Sequence, residues 1–342
     1  MSMGILSGKK VIVNNFGDTS VLSIIEEPVS EPLPDQVRIR VLASGVAFAD
    51  IMMREGLYPG GPKPPFTPGY DIVGIIESVG TDCKTLLPGT RVAALTVFGG
   101  YSKYVCIKES ECFEVPENKD PAKLVALVLN YITAYQMLHR VTRMEKGNRI
   151  LVHSAAGGVG TALLELGHLA GASVIGTAAR EKHDIVSSLR AIPIEYDEYS
   201  FVEHVNNIYS DGVDIVFDAM GGLNLMHSFE VLRSNGTLVY YGAKSMFKAG
   251  TGKQIAGVLL NALIFMRLKL FPKSRNTRLY LITRTKKNHP DWLKKDFKKI
   301  INLYIDGRID PIVETLPLQE VQTAHERLQS RKVKGKLVLL HE

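Results

Sequence analysis

The chain has 342 residues, of which 45% are hydrophobic and 22% are charged. This length and composition are typical of a globular protein with two domains and enough apolar material for two cores. An odd, sparse set of cysteines argues against a disulfide framework and indicates a reducing compartment, so we expect a cytoplasmic protein. The cysteines are Cys83, Cys106 and Cys112, and for Cys106 and Cys112 we expect buried free thiols rather than metal ligands.

The formal net charge of +6 is concentrated in one segment. From Lys244 to Lys299 the chain carries fifteen Lys and Arg residues against Asp291 and Asp296. The remainder of the chain is therefore acidic, which disfavours a general nucleic-acid-binding function.

The first hundred or so residues predict short β-strands separated by turns that contain Pro and Gly. Regular strand spacing with little helical periodicity is typical of a small β-barrel-type domain. A helix is expected over 121–140, because Asp120 can cap it and Pro121 suits its first position. The strand segments, rich in β-branched residues, are VLSIIEE, QVRIRVLAS, DIVGIIESVG and TRVAALTV.

The middle of the chain alternates apolar strands with helices, which predicts a buried parallel sheet in a doubly wound α/β domain. We expect helices over 159–169 and near 182–189. The expected strands are RILVH, SVIGT, VDIVF and TLVYY.

The C-terminal part adds further elements. We expect a last strand over 278–282 at the sheet edge, helices over 291–304 and 316–329, and a strand over 335–340 that returns to the first domain. The predicted domains are a β-barrel-type domain over 1–127, completed by 287–342, and a doubly wound domain over 128–286.

A glycine-rich turn carries the cofactor prediction. Strand RILVH runs into the sequence Ser154-Ala-Ala-Gly-Gly-Val-Gly160, which opens a helix. Gly157 and Gly158 would let the backbone approach a pyrophosphate, and Gly160 would allow close packing of helix and strand. The familiar GxGxxG is imperfect because Ala155 stands at its first glycine, and a plain glycine-rich turn is the alternative.

The end of the second strand predicts NADPH rather than NADH. A carboxylate here would bind the ribose 2′-hydroxyl of NADH, but the chain has Ala178, Ala179 and Arg180, followed by Lys182. Both cations can pair with a 2′-phosphate, while Glu181 is expected to face solvent. Tyr196, after the third strand, could add a hydroxyl contact. A solvated first helical turn is the alternative for the two cations.

These residues resemble the zinc-lacking quinone oxidoreductases of the medium-chain dehydrogenase/reductase superfamily, which include zeta-crystallin. The likeness extends from about residue 10 to residue 340, and within the family it is closest to the vesicle amine transport protein branch. It implies a Rossmann domain, doubly wound, and a GroES-like substrate domain of β-barrel type. The supporting stretches are GVAFADIMMREGLYP, TPGYDIVGIIESVG, NYITAYQML, ILVHSAAGGVG, VDIVFDAMGG, GTLVYYGA and VKGKLVLL.

The resemblance also implies site residues. A substrate cleft would be lined by Asp50, Tyr58 and Tyr70. The family commonly has Asn at the position of Ala47, where it hydrogen-bonds near the nicotinamide, so this departure puts efficient turnover in doubt. The implied NADPH contacts are Thr133, Gly157, Gly158, Val159, Lys182, Tyr196, Met220, Gly242, Ala243 and Arg331, beside the strand-end residues Ala178 and Arg180.

Zinc is not expected. The zinc enzymes of this architecture hold the catalytic metal with Cys, His and Cys, where the resemblance places Ala47, Tyr70 and Asn130 in this chain. The Cys-rich lobe for structural zinc is missing as well.

Without a metal, alcohol oxidation is disfavoured, whereas quinones and α,β-unsaturated carbonyls can still accept hydride. Tyr58 is the candidate donor to the substrate carbonyl, with an aromatic pocket wall as the alternative. His139 and His153 are expected to be structural.

The apolar stretch over 255–266 is followed by basic residues and is too short to cross a membrane. Within 244–276 it could lie on an anionic membrane surface, but a helix over the cofactor cleft or at a subunit interface is favoured. A homodimer through the sheet edge is expected. Two functions stay open: an NADPH-dependent quinone or enone reductase, and a catalytically weak NADPH-binding protein acting in membrane association or transport.

Overall fold

The computed structural model describes residues 6–197, 200–242, 251–272 and 274–342. Its internal contacts divide the chain into two compact units. The first unit comprises residues 1–130 and 297–342, and the second comprises residues 131–296.

The first unit is built mainly on antiparallel strands, as expected for a β-barrel-type domain, and only β14 and β15 pair in parallel among its described strands. Strands β1 and β2 pair with each other, and the other strands form a second sheet in the order β14-β15-β3-β4-β5-β7, with β6 also paired to β3. The strand β15 pairs antiparallel with β3, so the C-terminal strand returns to this unit as predicted. The strands are β1 (Ser7–Val13), β2 (Leu22–Pro28), β3 (Gln36–Val46), β4 (Asp71–Val79), β5 (Arg91–Ala94), β6 (Tyr104–Lys108), β7 (Cys112–Glu114), β14 (Val313–Pro317) and β15 (Lys336–Leu340).

A helical run leads from the first unit towards the second. The Asp120 side chain accepts a hydrogen bond from the backbone N–H of Ala122 at 2.9 Å, and Pro121 occupies the first turn, as predicted. The run changes to wider π-helical turns after α2 and again after α3. Its segments are α2 (Pro121–Ala126), the π-turn Leu127–Tyr131, α3 (Ile132–Gln136) and the π-turn Met137–Val141.

The second unit is a doubly wound Rossmann domain. Among the described residues its six strands are all parallel and lie in the order β10-β9-β8-β11-β12-β13. This order reverses between β8 and β11, which is the switch point at which such sheets bind ligands. The strands are β8 (Arg149–Val152), β9 (Ser173–Ala178), β10 (Ile192–Glu195), β11 (Val213–Asp218), β12 (Leu232–Tyr240) and β13 (Asn276–Leu279).

Helices cover both faces of this sheet. Ile175 belongs to an apolar cluster that includes residues of α6, α7 and α8. The next residue, Gly176, points to the opposite face, where an added Cβ would meet Val186 of α5 and Leu164 of α4. The helices of the chain outside the run above are α1 (Phe48–Arg54), α4 (Gly158–Leu169), α5 (His183–Ser188), α6 (Ser200–Ile208), α7 (Asn224–Glu230), α8 (Thr251–Leu270), α9 (Ile282–Asn288), α10 (Pro290–Ile305) and α11 (Val321–Gln329).

Two secondary-structure elements lie at positions that differ from the predicted ones. The last strand of the Rossmann sheet occupies Asn276–Leu279 rather than 278–282, because its partner β12 ends at Tyr240, which pairs with Leu279. The chain then turns into α9, which begins at Ile282.

The helix expected over 316–329 begins later. Val313–Pro317 forms a strand that pairs with β15, and a short 3₁₀ turn precedes α11. A residue before proline avoids the helical region, so Leu316, which precedes Pro317, favours the extended conformation.

The apolar stretch over 255–266 lies within a longer helix, α8, which spans Thr251–Leu270. None of the helices in the described ranges is both long and apolar enough to cross a membrane. All three cysteines are free. Cys112 is buried as predicted, whereas Cys106 is only half-buried, contrary to the prediction, and Cys83 is half-buried as well.

Candidate functional site

The glycine-rich turn opens α4 at the carboxyl end of β8. Gly157 is the N-cap, and the N–H of Thr161 donates to its carbonyl at 2.8 Å. The N–H groups of Gly158 and Val159 therefore precede the first hydrogen bond of the helix. All three of the residues predicted here, Gly157, Gly158 and Val159, are partly exposed. A helix start of this kind can bind an anionic phosphate.

Gly160 packs the helix against the turn. An added Cβ would lie 2.6 Å from the carbonyl oxygen of Ala155 and would overlap the carbonyl oxygen of Ser154. No side chain fits there, so Gly160 lets α4 pack closely against the turn that follows β8, whereas the prediction was packing against the strand itself.

The residues that are predicted to bind the 2′-phosphate follow two neighbouring strands. Ala178 ends β9, and its carbonyl oxygen accepts a hydrogen bond from the N–H of Tyr196, just after β10, at 2.9 Å. Arg180 and Lys182 lie on the 3₁₀ turn after Ala178. Arg180 is exposed, and Lys182 and Tyr196 are half-buried. Glu181 is exposed, as predicted.

The turns after β8 and β11 meet at the switch point of the sheet. The Ser154 hydroxyl lies 3.2 Å from the Met220 sulfur and donates to it. Gly242, after β12, lies so close to Ala219 that an added Cβ would be 2.9 Å from its carbonyl oxygen. The predicted residues Met220 and Gly242 thus lie at the carboxyl ends of the parallel strands, as does the glycine-rich turn.

A buried hydrogen-bond network ties three strand ends together. His153 is fully buried, with Nδ1 3.0 Å from the Thr177 hydroxyl and Nε2 3.0 Å from the Ser228 hydroxyl. Ser228 donates to a carboxylate oxygen of Asp218 at 2.7 Å, so the imidazole must donate from Nε2 and accept at Nδ1. Burial lowers the pKa of His153, against the charge of Asp218, which raises it. His153 is therefore a neutral structural residue, as predicted.

Sequence reasoning missed the partners of His153. The chain gives a partial signal, because Asp218 ends an apolar strand and a polar residue at that place needs a partner. The position of Ser228 on α7 has no such signal.

Three further predicted cofactor residues lie elsewhere. Thr133 of α3 is buried within the second unit. Arg331 follows α11 in the first unit, in a left-handed conformation with φ of 60°. Ala243 lies outside the described residues, as do residues 244–250 and 273 of the basic segment.

Two tyrosines form a pair in the first unit. The hydroxyl oxygens of Tyr58 and Tyr70 are 2.9 Å apart, and their rings meet edge to face at 66°. Tyr58 is half-buried and Tyr70 is buried. Burial, then the neighbouring Tyr58, and then Asp50 and Asp71 raise the pKa of Tyr70 above its usual value. Tyr70 therefore stays protonated at neutral pH.

Asp50 supports this pair from inside the unit. It is fully buried, and its carboxylate accepts hydrogen bonds from the N–H groups of Ala47 at 2.8 Å and Gly69 at 2.9 Å. The first bond holds the start of α1, and the second holds the backbone next to Tyr70. Burial raises the pKa of Asp50 to about 7, although both backbone bonds lower it. Its geometry fits a positioning role better than direct contact with a substrate.

The zinc positions do not fit a metal. Ala47, Tyr70 and Asn130 are all buried, and they offer neither the thiolates nor the imidazole that catalytic zinc requires. Among the described residues no group of three or more His, Cys, Asp or Glu side chains is arranged so that it could hold a metal ion.

Comparisons with known proteins identify the family. Residues 33–117 match the family model described as alcohol dehydrogenase GroES-like domain, and residues 192–339 match zinc-binding dehydrogenase. The human synaptic vesicle membrane protein VAT-1 homolog-like is 30% identical over 338 residues, which cover 97% of this chain and 80% of that protein. The chain belongs to the VAT-1 family.

The quinone oxidoreductases are related to this VAT-1 family member. A quinone oxidoreductase of Lama guanicoe is 28% identical over 344 residues, which cover 97% of each protein. The crystal structure of the human VAT-1 homolog-like protein matches with a TM-score of 0.84 at 28% identity over 98% of each chain. The Escherichia coli quinone oxidoreductase complexed with NADPH matches with a TM-score of 0.86 at 25% identity, over 97% of this chain and 99% of that one. The resemblance to the quinone oxidoreductases of the medium-chain dehydrogenase/reductase superfamily is confirmed.

Proposed function

We propose that this VAT-1 family member binds NADPH and transfers hydride to a quinone or an α,β-unsaturated carbonyl without a metal. The observation that carries the proposal is the partly exposed helix start at Gly157 and Gly158, beside the cationic turn of Arg180 and Lys182. A related quinone oxidoreductase of Escherichia coli was solved with NADPH, which supports a nicotinamide cofactor for this chain.

The choice of NADPH rests on charge. The helix start suits the pyrophosphate that NADPH and NADH share, so it does not discriminate between them. The end of β9 has the apolar Ala178 where an NADH site has a carboxylate, and the nearby cations attract the extra 2′-phosphate.

The tyrosine pair suits a proton-donating role. The nicotinamide supplies the hydride, and the acceptor must then gain a proton on its oxygen. In the proposed arrangement Tyr70 donates to the oxygen of Tyr58, which leaves the Tyr58 hydroxyl free to donate to the substrate carbonyl. After the proton moves, water restores it to Tyr58.

Calorimetric titration tests the cofactor. We expect NADPH to bind at least tenfold more tightly than NADH, because a charged hydrogen bond contributes about 1.5–3 kcal/mol. Arg180→Ala and Lys182→Ala should each reduce that preference and leave NADH affinity unchanged. Lys146→Ala is the control, since Lys146 is exposed and precedes β8, at the opposite end of the strand from the glycine-rich turn. Equal affinities in the unmodified protein would contradict the choice of NADPH.

Turnover is tested separately. NADPH oxidation should be followed with a panel of quinones and enones, with a simple alcohol and NADP⁺ as the negative control. Tight NADPH binding without turnover of any acceptor would contradict the enzyme and favour the second function.

The second candidate is a weakly catalytic NADPH-binding protein that associates with membranes. The helix α8 carries large exposed apolar side chains, and Arg267 and Lys269 lie among them. An apolar face with cations is suited to an anionic membrane surface. The exposed residues are Leu259, Leu260, Leu263, Met266 and Leu270, followed by Phe271.

Vesicle sedimentation tests this association. Leu263 and Leu87 are equally exposed, at 68%, but lie in different units. We expect the protein to pellet with phosphatidylserine vesicles and not with neutral ones, and Leu263→Lys to reduce pelleting, while Leu87→Lys does not. Equal pelleting of both variants would exclude α8 as the contact.

A homodimer through the sheet edge is part of the proposal. The strand β13 is at the edge of the Rossmann sheet and its residues Arg278 and Leu279 are exposed, so its outer side could pair with another copy. Sedimentation equilibrium should show a dimer, and a proline at Arg278 should weaken it.

A further inference from the structure

The turn after β11 has an unusual backbone. Gly221 and Gly222 are both in the left-handed region, with φ of 72° and 64°. One carboxylate oxygen of Asp218 accepts hydrogen bonds from the N–H groups of Met220 at 2.7 Å and Gly221 at 2.9 Å. Asp218, the last residue of β11, thus fixes the backbone of the first two turn residues, Met220 and Gly221.

A residue distant in sequence holds the rest. The N–H of Gly222 donates to the side-chain oxygen of Asn261, which is nearly buried on α8. The Asn261 amide N–H₂ donates to the carbonyl of Gly257, one turn earlier in the helix, at 2.9 Å. This second bond orients the amide with its oxygen towards the turn. A Cβ at Gly221 would lie 2.6 Å from that oxygen, so the helix and the turn are in close contact.

The turn that contains Gly221 and Gly222 belongs to the proposed cofactor site. It begins at Met220, whose sulfur accepts a hydrogen bond from Ser154 beside the glycine-rich turn. In a doubly wound sheet one mononucleotide half lies on each side of the switch point. Arg180 and Tyr196 follow β9 and β10, on the side expected to bind the adenosine, whereas the turn after β11 is on the side of the nicotinamide.

We propose that Asn261 is a positioning residue for the nicotinamide half of the cofactor. It fixes the Gly221–Gly222 turn from α8, and it acts through the backbone rather than by touching the cofactor. The inference rests on the proposed function, because it assumes that NADPH occupies this edge of the sheet. The role is separate from the packing of α8, for which Ile264 and Leu268 enter the apolar core.

The test compares two ligands by calorimetry. NADPH covers both halves of the site, whereas adenosine 2′,5′-bisphosphate covers only the adenosine half. Asn261→Ala should weaken NADPH binding about two- to tenfold, the effect of one hydrogen bond, and leave the bisphosphate affinity unchanged. Asn261→Asp keeps an acceptor for the Gly222 N–H and should restore part of the NADPH affinity.

Leu268→Ala is the matched control, because it loosens the same helix without touching the turn. It should lower the melting temperature and affect both ligands alike. The inference is overturned if Asn261→Ala weakens both ligands equally, leaves both unchanged, or gives the same result as Leu268→Ala. If the unmodified protein binds neither ligand, the proposed function itself fails, which is a distinct outcome.

Discussion

The ammonium group of Lys336 lies 3.0 Å from a carboxylate oxygen of Asp71, and both side chains are buried. The two residues begin β15 and β4, on either side of β3. Gly45 of β3 makes room for them, since an added Cβ there would overlap the carboxylate. The pair therefore links β15 to β4 across the intervening β3 through one ionic contact.

Removing one partner of this pair should destabilise the first unit strongly. Lys336→Met leaves the Asp71 carboxylate buried without its cation, which costs about 3–5 kcal/mol of unfolding free energy. Asp71→Asn should have a similar effect, and the double variant should recover much of the loss. Urea unfolding measures all three, with exposed Lys332→Met as the control. Additive losses in the double variant would show that the two residues do not interact.

Alanine at Gly160 should damage the cofactor site far more than alanine elsewhere on the same helix. At Gly160 the new methyl group meets backbone carbonyls, which cannot move aside. At Gly167 the nearest atom is Cδ1 of Ile150, at 2.8 Å, the end of a flexible side chain. We expect Gly160→Ala to abolish NADPH binding or folding, and Gly167→Ala to keep both, as judged by calorimetry and circular dichroism. NADPH binding unchanged in Gly160→Ala would contradict the packing argument.

The tyrosine pair should affect turnover and not cofactor affinity. Tyr58→Phe removes the proposed donor and should lower kcat about 10²–10⁴-fold, the range for a positioned acid. Tyr70→Phe removes only the support of Tyr58 and should have a smaller effect. Tyr104→Phe is the control, because Tyr104 lies on β6, apart from the pair. Unchanged kcat in Tyr58→Phe would leave Tyr58 as a pocket wall.

Acid should destabilise the protein through His325. This residue is fully buried, and burial, followed by the charge of Arg54, lowers its pKa to about 3. An unfolded histidine has a pKa of about 6.5, so the stability from neutral His325 is complete above that pH and is lost as pH falls towards 3. The slope is at most about 1.4 kcal/mol per pH unit for this one proton.

Chemical unfolding between pH 7.5 and 4.5 measures this effect. His325→Gln should be less stable than the unmodified protein at neutral pH, and the difference should shrink as the pH falls. Exposed His204→Gln should leave the slope unchanged. A constant difference across the range would show that His325 is not the group responsible.

The sequence was informative wherever a pattern is local. The alternation of strands and helices predicted the Rossmann sheet, and Asp120 with Pro121 predicted the start of the helical run. The edge strand was misplaced because Tyr280 to Ile282 are as apolar as a strand, whereas the length of β13 is set by its neighbour β12. The start of α11 was misplaced although Pro317 gave a usable signal.

Contacts between distant residues had no comparable signal. Asn261 and Gly222 are 39 positions apart, and Lys336 and Asp71 are 265 positions apart. A buried Asn or Lys needs a hydrogen-bonding or ionic partner, but which residue becomes that partner depends on the fold. The position of the site, by contrast, was predictable. Parallel strands bring their carboxyl ends together at one end of the sheet, where ligands bind.

The leucines on the outer side of α8 contribute little to the folding of their own unit. Leu263 and Leu270 each keep 68% of their surface in water, so they gain little from the folded state. A protein with lysines at these positions would fold equally well and would be more soluble. At high concentration this helix should therefore limit solubility, and self-association should begin there unless a partner covers it.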